Sequence, residues 1–191
     1  MVQLNDEQKK KLLALARRTI EEYLKKRTLP KVDYNHEFAD DVFKQKCGAF
    51  VTLHKYGALR GCIGYVKGIK TIPEAVVDMA KASAFEDPRF EPLRKDELDD
   101  IDIEISVLTP VEPVNDIGEI VIGRDGLIIS NGFRAGLLLP QVATEYGWDV
   151  QTFLEHTCYK AGLPADAWKW ENTKIEKFSA IVFGEKELNL R

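Results

Sequence analysis

The sequence predicts an α+β fold built largely from antiparallel strands. Three observations carry this. β-Rich runs at 49–54 and 58–66 flank "KYG", a connection too short for a parallel crossover. Residues 101–107 alternate Ile101, Ile103, Ile105 and Val107 with Asp102, Glu104 and Ser106, the pattern of a half-buried strand. Apolar residues at helical spacing, in separate segments, break up these strands in place of a regular βαβ alternation.

In chain order, residues 5–27 read as an amphipathic helix. Asn5 caps it, Gln8 completes a capping box, and Leu12, Leu15, Ala16, Ile20 and Tyr23 recur on one face. The stretch "TLPKVDYNHEFADDVFKQ" lacks periodicity and is expected to lie over the surface. After the 49–66 hairpin, Thr71 and Glu74 box the start of a helix over 72–85, whose stripe is Val76, Val77 and Ala80. Beyond the alternating strand, "EIVIGRDGLIISNGFRAGLLLP" holds a DG and an NG, which predict three short strands in a meander. Helices are expected at 140–147, opened by Pro140, and at 150–161, capped by Asp149 and ended at Gly162. A strand over 174–185 is the last element. "TIPEAV" and "LLPQVA" each follow a glycine-punctuated meander and precede a later strand, an internal echo that suggests duplication of a unit of strands followed by helices. No low-complexity linker divides residues 1–191, which are expected to form a single domain with two lobes.

Bulk properties exclude several function classes. The net charge of −4 and pI near 5.5 disfavour binding to nucleic acid, which rests on phosphate neutralisation. The densest basic stretch, "ARRTIEEYLKKR", carries Glu21 and Glu22 among its cations and reads as a solvated helix face. No apolar run approaches the ~20 residues of a membrane span, and the first residues lack a secretory layout, so a cytoplasmic location is expected. Cys47, Cys62 and Cys158 show no C-x-x-C spacing, and an odd count argues against a disulfide framework. His36, His54 and His156 are scattered, so neither a metal nor a cofactor is expected.

Chemistry concentrates in two stretches. In "LRGCIG", residues 59–64, Arg60 and Cys62 are expected to share a strand face about 6.6 Å apart along the backbone, with Leu59 and Ile63 turned into the core. A guanidinium beside a thiol favours the thiolate, and Gly61 and Gly64 leave room for a ligand or for another backbone. Two readings stand side by side: a nucleophilic or ligand-contacting Cys62, and a small buried cysteine between bulge glycines. In "SAFEDPRFEPL", Arg89 is placed to hold an anionic group while Glu86 or Asp87 takes a proton; the competing reading is an arginine braced along apolar surface. Arg89, with Glu86 or Asp87, is expected within one side-chain length of the Arg60–Cys62 face, forming a mixed-charge pocket for an anionic or zwitterionic ligand. His54 can approach Cys62 only if the strand register allows. "YGWD" and "WKW" are expected to pack between the late helices and the sheet.

The motifs "GAFVTL", "LRGCIG", "SAFEDPRFEPL", "IEISVLTP", "GRDGLIIS", "GLLLPQVA" and "YGWD", in this order over residues 5–187, resemble the AMMECR-type domain family, whose hallmark hexapeptide stands intact at Leu59–Gly64. The length fits a stand-alone archaeal or bacterial member. The resemblance implies an α+β, two-lobed single domain with a curved, barrel-like antiparallel sheet and two repeats of strands and helices, three strands and two helices in each. It places LRGCIG near a cleft between the lobes. Members are often encoded beside or fused to Memo-like and radical-SAM proteins, which implies a shared pathway modifying a protein or nucleobase. Asp125 stands where many members have a histidine, which weakens any catalytic role at that position. Together these expectations favour an enzyme or enzyme subunit using Cys62. The alternative is a non-catalytic module holding a metabolite, protein or nucleic-acid partner.

Overall fold

The computed structural model describes residues 2–190. The chain divides into two compact units, one running to Leu108 and resuming at Ile181, the other spanning Thr109–Ala180.

The first unit holds α1 (Asp6–Lys26), α2 (Tyr34–Glu37), β1 (Ala49–Lys55), β2 (Ala58–Tyr65), α3 (Ile72–Phe85) and β3 (Ile101–Leu108). The two capping boxes form as the residue types require. Asn5 and Gln8 exchange side-chain-to-backbone bonds of 2.9 and 3.0 Å, and Glu74 accepts from both the N–H and the hydroxyl of Thr71. The turn between β1 and β2 places Tyr56 and Gly57 at positive φ, as a two-residue hairpin demands. β1 lies between β2 and β3, antiparallel to both. One sheet face carries Val51, Leu53, Ile101, Ile103, Ile105 and Val107, all buried against Leu12, Leu15 and Ile20 of α1 and Val76 and Ala80 of α3. The stretch expected to lie over the surface instead supplies Phe38 and Phe43 to this core; a short α2 and a 3-10 turn over Asp41–Lys44 are too brief to show periodicity. Arg17 of α1 grips Glu185 in a two-pronged ion pair at 2.5 and 2.6 Å, and Glu185 accepts the Ile103 N–H, which ties the last residues to the core.

The second unit holds β4 (Glu112–Pro113), β5 (Asp125–Asn131), β6 (Arg134–Leu138), α4 (Pro140–Glu145) and α5 (Val150–Lys160), together with the first part of β7 (Lys174–Gly184), whose last residues belong to the first unit. β5 pairs antiparallel with β6 and with β7, and β4 takes the other edge of β7. Leu127, Ile129, Phe153, Leu154 and Cys158 form its core. The expected three-stranded meander is two strands here. The turn falls at 122–124, before the DG, and Gly126 is extended, admitting the Phe178 ring from β7: a Cβ there would stand 2.4 Å from it.

Each unit thus contains a hairpin, then helix, then a strand returning beside the hairpin's first strand, in the orders β2-β1-β3 and β6-β5-β7. One helix follows the first hairpin and two follow the second; in the first unit α1, ahead of the hairpin, is the second long helix and shares the core with α3. In both, a glycine on the hairpin's second strand lets the helix's last turn approach the backbone. A Cβ on Gly61 would lie 2.1 Å from the Ser83 carbonyl oxygen of α3, and one on Gly136 would lie 2.2 Å from the Ala161 nitrogen after α5. No flexible side chain can yield at either contact. Gly61→Ala is therefore expected to cost about 3 kcal/mol or more, whereas Gly184→Ala, whose Cβ would meet Ile103 oxygen at 3.6 Å, should cost under about 1 kcal/mol. Urea midpoints of the two variants check this; equal midpoints would contradict it.

Candidate functional site around Cys62

β2 is an edge strand: among the described residues, no strand pairs with it on the side away from β1. Its outward N–H and C=O groups need partners or water. At Cys62 both find side chains. Asp87 Oδ2 accepts the Cys62 N–H at 2.9 Å, and Arg89 Nη2 donates to the Cys62 carbonyl at 3.2 Å. The two clamping residues are locked to each other, because Arg89 donates its Nε, Nη2 and backbone N–H to Asp87 at 2.9, 2.7 and 3.1 Å. Local sequence explains the geometry. α3 ends at Phe85, and the Asp87–Pro88–Arg89–Phe90 turn closes with the Phe90 N–H on the Asp87 carbonyl. That turn delivers two side chains to the strand edge. Asp87 is buried, and the Arg89 guanidinium holds its carboxyl far below the usual carboxylate range. The same pairing raises Arg89, whose side chain nevertheless stays half exposed.

Because its N–H points away from β1, Cys62 forms a non-hydrogen-bonded pair with Thr52, the type in which side chains come closest. The Thr52 hydroxyl donates to the Cys62 sulfur at 3.2 Å. Thr52 is opposed on its other side by Glu104, so Cys62, Thr52 and Glu104 form one row across three strands, on the face away from α3. His54 and Asp102 form the next row, so the register puts His54 on the same face as Cys62. Only Cys62 of the three cysteines is partly exposed; Cys47 and Cys158 are buried, and burial pushes both thiols up.

Arg60 does not share this face. The register slips between Leu53 and His54, leaving Arg60 as the extra residue of a β-bulge, which breaks the two-residue alternation counted from Cys62. Its guanidinium makes a two-pronged pair with Glu97 at 3.0 and 2.9 Å, and Lys55 joins the same carboxylate at 3.0 Å. The bulge also moves Leu59 out of the expected core position: it opposes His54 and is 42% exposed, and Ile63 is only half buried. Arg60 and Arg89 meet at Phe90, with guanidinium carbons 6.0 and 5.5 Å from its ring centre.

The structure therefore joins Cys62, Asp87 and Arg89 directly and brings Arg60 alongside through Phe90. Glu86 stands apart, ion-paired with Lys81. Gly61 receives α3, and Gly64 lies under the Phe50 ring, which a Cβ would meet at 2.2 Å. Asp125 is buried: burial raises its carboxyl, but Arg124 and the Val121 N–H outweigh this and hold it low. Thr52 and Glu97 escaped sequence reasoning, although the alternation of β1 was a usable signal for Thr52. Among the described residues no cluster of His, Cys, Asp and Glu could hold a metal, and no helix is long and apolar enough to cross a membrane.

Arg60 above all, with burial working against it and the Arg94 N–H and Lys55 in support, lowers the Glu97 carboxyl to about 2. In an unfolded chain the group sits near ~4.3. The folded state thus favours the carboxylate, and this stability is present above the unfolded value and lost as pH falls towards the folded one. At full strength it is about 3 kcal/mol. Glu97→Gln is expected to melt earlier than the wild type at pH 7 and to lose less on going to pH 3. Thermal melts at both pH values check this, and parallel losses in the two proteins would contradict it.

A protein of Methanothermobacter thermautotrophicus is 46% identical over 191 residues, covering 95% of this chain and 96% of that one. Protein MJ0810 of Methanocaldococcus jannaschii is 47% identical over 180 residues, covering 90% and 87%. The crystal structure of the uncharacterized protein PH0010 from Pyrococcus horikoshii superposes with a TM-score of 0.81 at 45% identity, over 92% of this chain and 90% of that one. The AMMECR1 family profile matches residues 13–183, and the chain belongs to that family.

Proposed function

We propose that the protein is an enzyme, or the subunit of one, that uses Cys62 as a nucleophile towards a substrate carrying an anionic group. The observation that supports this most is the treatment of one residue. Cys62 is held through both backbone groups by Asp87 and Arg89, the residue stays partly exposed, and its sulfur accepts a hydrogen bond from Thr52. The Thr52 hydroxyl engages the sulfur from the neighbouring strand on the same sheet face. In this reading Asp87 positions the strand, because its oxygens are engaged by Cys62 and Arg89. Arg89 turns its half-exposed outer N–H groups to the anionic group, and His54 or Glu104, on the thiol's own face, takes the proton. Glu86, paired with Lys81, has no part in it. Three free thiols fit action in the cytoplasm. Memo-like and radical-SAM proteins remain the partners this reading expects, within a modification pathway.

A second reading, a binding module without chemistry, is favoured by one observation. Arg60, Arg89 and Asp87 are already engaged in intramolecular ion pairs, the arrangement of a rigid surface. Alkylation separates the two. With iodoacetamide at pH 7 and mass-spectrometric readout, the enzyme reading expects Cys62 to react at least tenfold faster than glutathione, and Thr52→Val to remove that advantage without lowering the melting temperature. Reaction no faster than glutathione would decide for the binding module.

A further inference from the structure

The "YGWD" segment has no role in the Cys62 site; Trp148 packs against the second unit's core as the sequence suggested, whereas Tyr146 stays at the surface. Tyr146 stacks on Trp148 at 5.0 Å and 18°, Trp148 on His156 at 3.9 Å and 17°, and Tyr159 closes the row edge-on at 5.6 Å and 89°. Tyr146 is 69% exposed and Tyr159 57%, so a ladder of four rings lies at the surface of the second unit. Exposed apolar area gathered in this way marks an interaction site more often than scattered single residues do. The helix frame accounts for the ladder. Gly147, at positive φ, reverses the chain between α4 and α5, and His156 and Tyr159 follow at i and i+3 on the exposed side of α5. Cys158, between them, faces the core.

We propose that this ladder docks a basic segment of a partner protein by stacking an arginine guanidinium on Tyr146. Two properties select that occupant. The first is shape: three near-parallel rings end in an exposed tyrosine, which offers its π face to another planar group. The second is charge. From Pro140 to the end of α5 at Lys160 the chain carries Glu145, Asp149 and Glu155 against one cation, Lys160. The wider Thr109–Ala180 segment holds ten acidic against six basic residues, a surplus equal to the net charge of −4 of the entire chain. A planar cation meets both conditions. Guanidinium stacks on aromatic faces and pairs with carboxylates, whereas ammonium is a compact, strongly hydrated point charge and a neutral nucleobase gains nothing from the acidic surplus of this segment.

The test titrates the full chain with an acetylated, amidated (Gly-Arg)4 peptide and follows the aromatic NMR resonances of the ladder. Lysine and citrulline versions of the peptide, and adenosine, serve as the other probes. Saturable binding of the arginine peptide is expected, about threefold or more weakened in the lysine version and at least tenfold in the citrulline version. Tyr146→Ala should weaken it about fivefold or more with an unchanged melting temperature, and Tyr146→Phe should retain it. Absent binding, equal affinity for arginine and lysine, or an indifferent Tyr146→Ala would overturn the proposal. Saturation by adenosine in place of the peptide would assign the ladder to a nucleobase and overturn it equally.

Discussion

The architecture around LRGCIG depends on one contact, the acceptance of the Cys62 N–H by Asp87 while Arg89 takes the Cys62 carbonyl. An edge strand normally leaves these groups to water or to a foreign strand. Here an aspartate and an arginine from a single turn stand in for the missing neighbour, and their own ion pair fixes the geometry of the substitute. The contact also brings the end of α3 against β2. That approach explains why position 61 has no side chain, since Ser83 occupies the space a Cβ would need. Strand, helix end and turn form one braced corner around the Cys62 backbone, with the thiol on the sheet face away from α3.

The bulge at Arg60 divides the corner into two chemically distinct sides. On one, Arg60 and Lys55 converge on the buried Glu97, a pairing whose worth is structural because neither charge is free to move. On the other, Cys62 shares its face with Thr52, Glu104 and His54, polar groups able to exchange protons. The aromatic ladder of the second unit belongs to neither side and concerns recognition of a different kind.

Local signals in the sequence were read correctly where the controlling interaction is local. The capping boxes at Asn5 and Thr71, the helix over 72–85 and the alternating strand at 101–107 follow from contacts within a few residues. The glycines of LRGCIG signalled a possible bulge, but its position at Arg60 did not show, because it depends on how β2 meets β1, and a one-residue slip reverses every face assignment beyond it. For the same reason the Arg60–Cys62 pairing, natural for a regular strand, is replaced by Arg60–Glu97. The DG at 125–126 misled for another reason. A glycine can serve a turn or make room for a ring, and Phe178, over 50 residues away, decides between them. Proximity of Arg89 to Cys62 was legible from the short helix connection, but its target, a backbone carbonyl and not the sulfur, rests on the strand lying at an edge.

The central claim is that Asp87 and Arg89 together act as the missing strand at Cys62. Amide hydrogen exchange at Cys62 tests it most directly. The account predicts a protected Cys62 amide in the wild type, and protection lowered at least tenfold in Asp87→Ala, with the amides of β1 and β3 unchanged. A Cys62 amide that exchanges equally in both proteins, whether fast or slow, would contradict it.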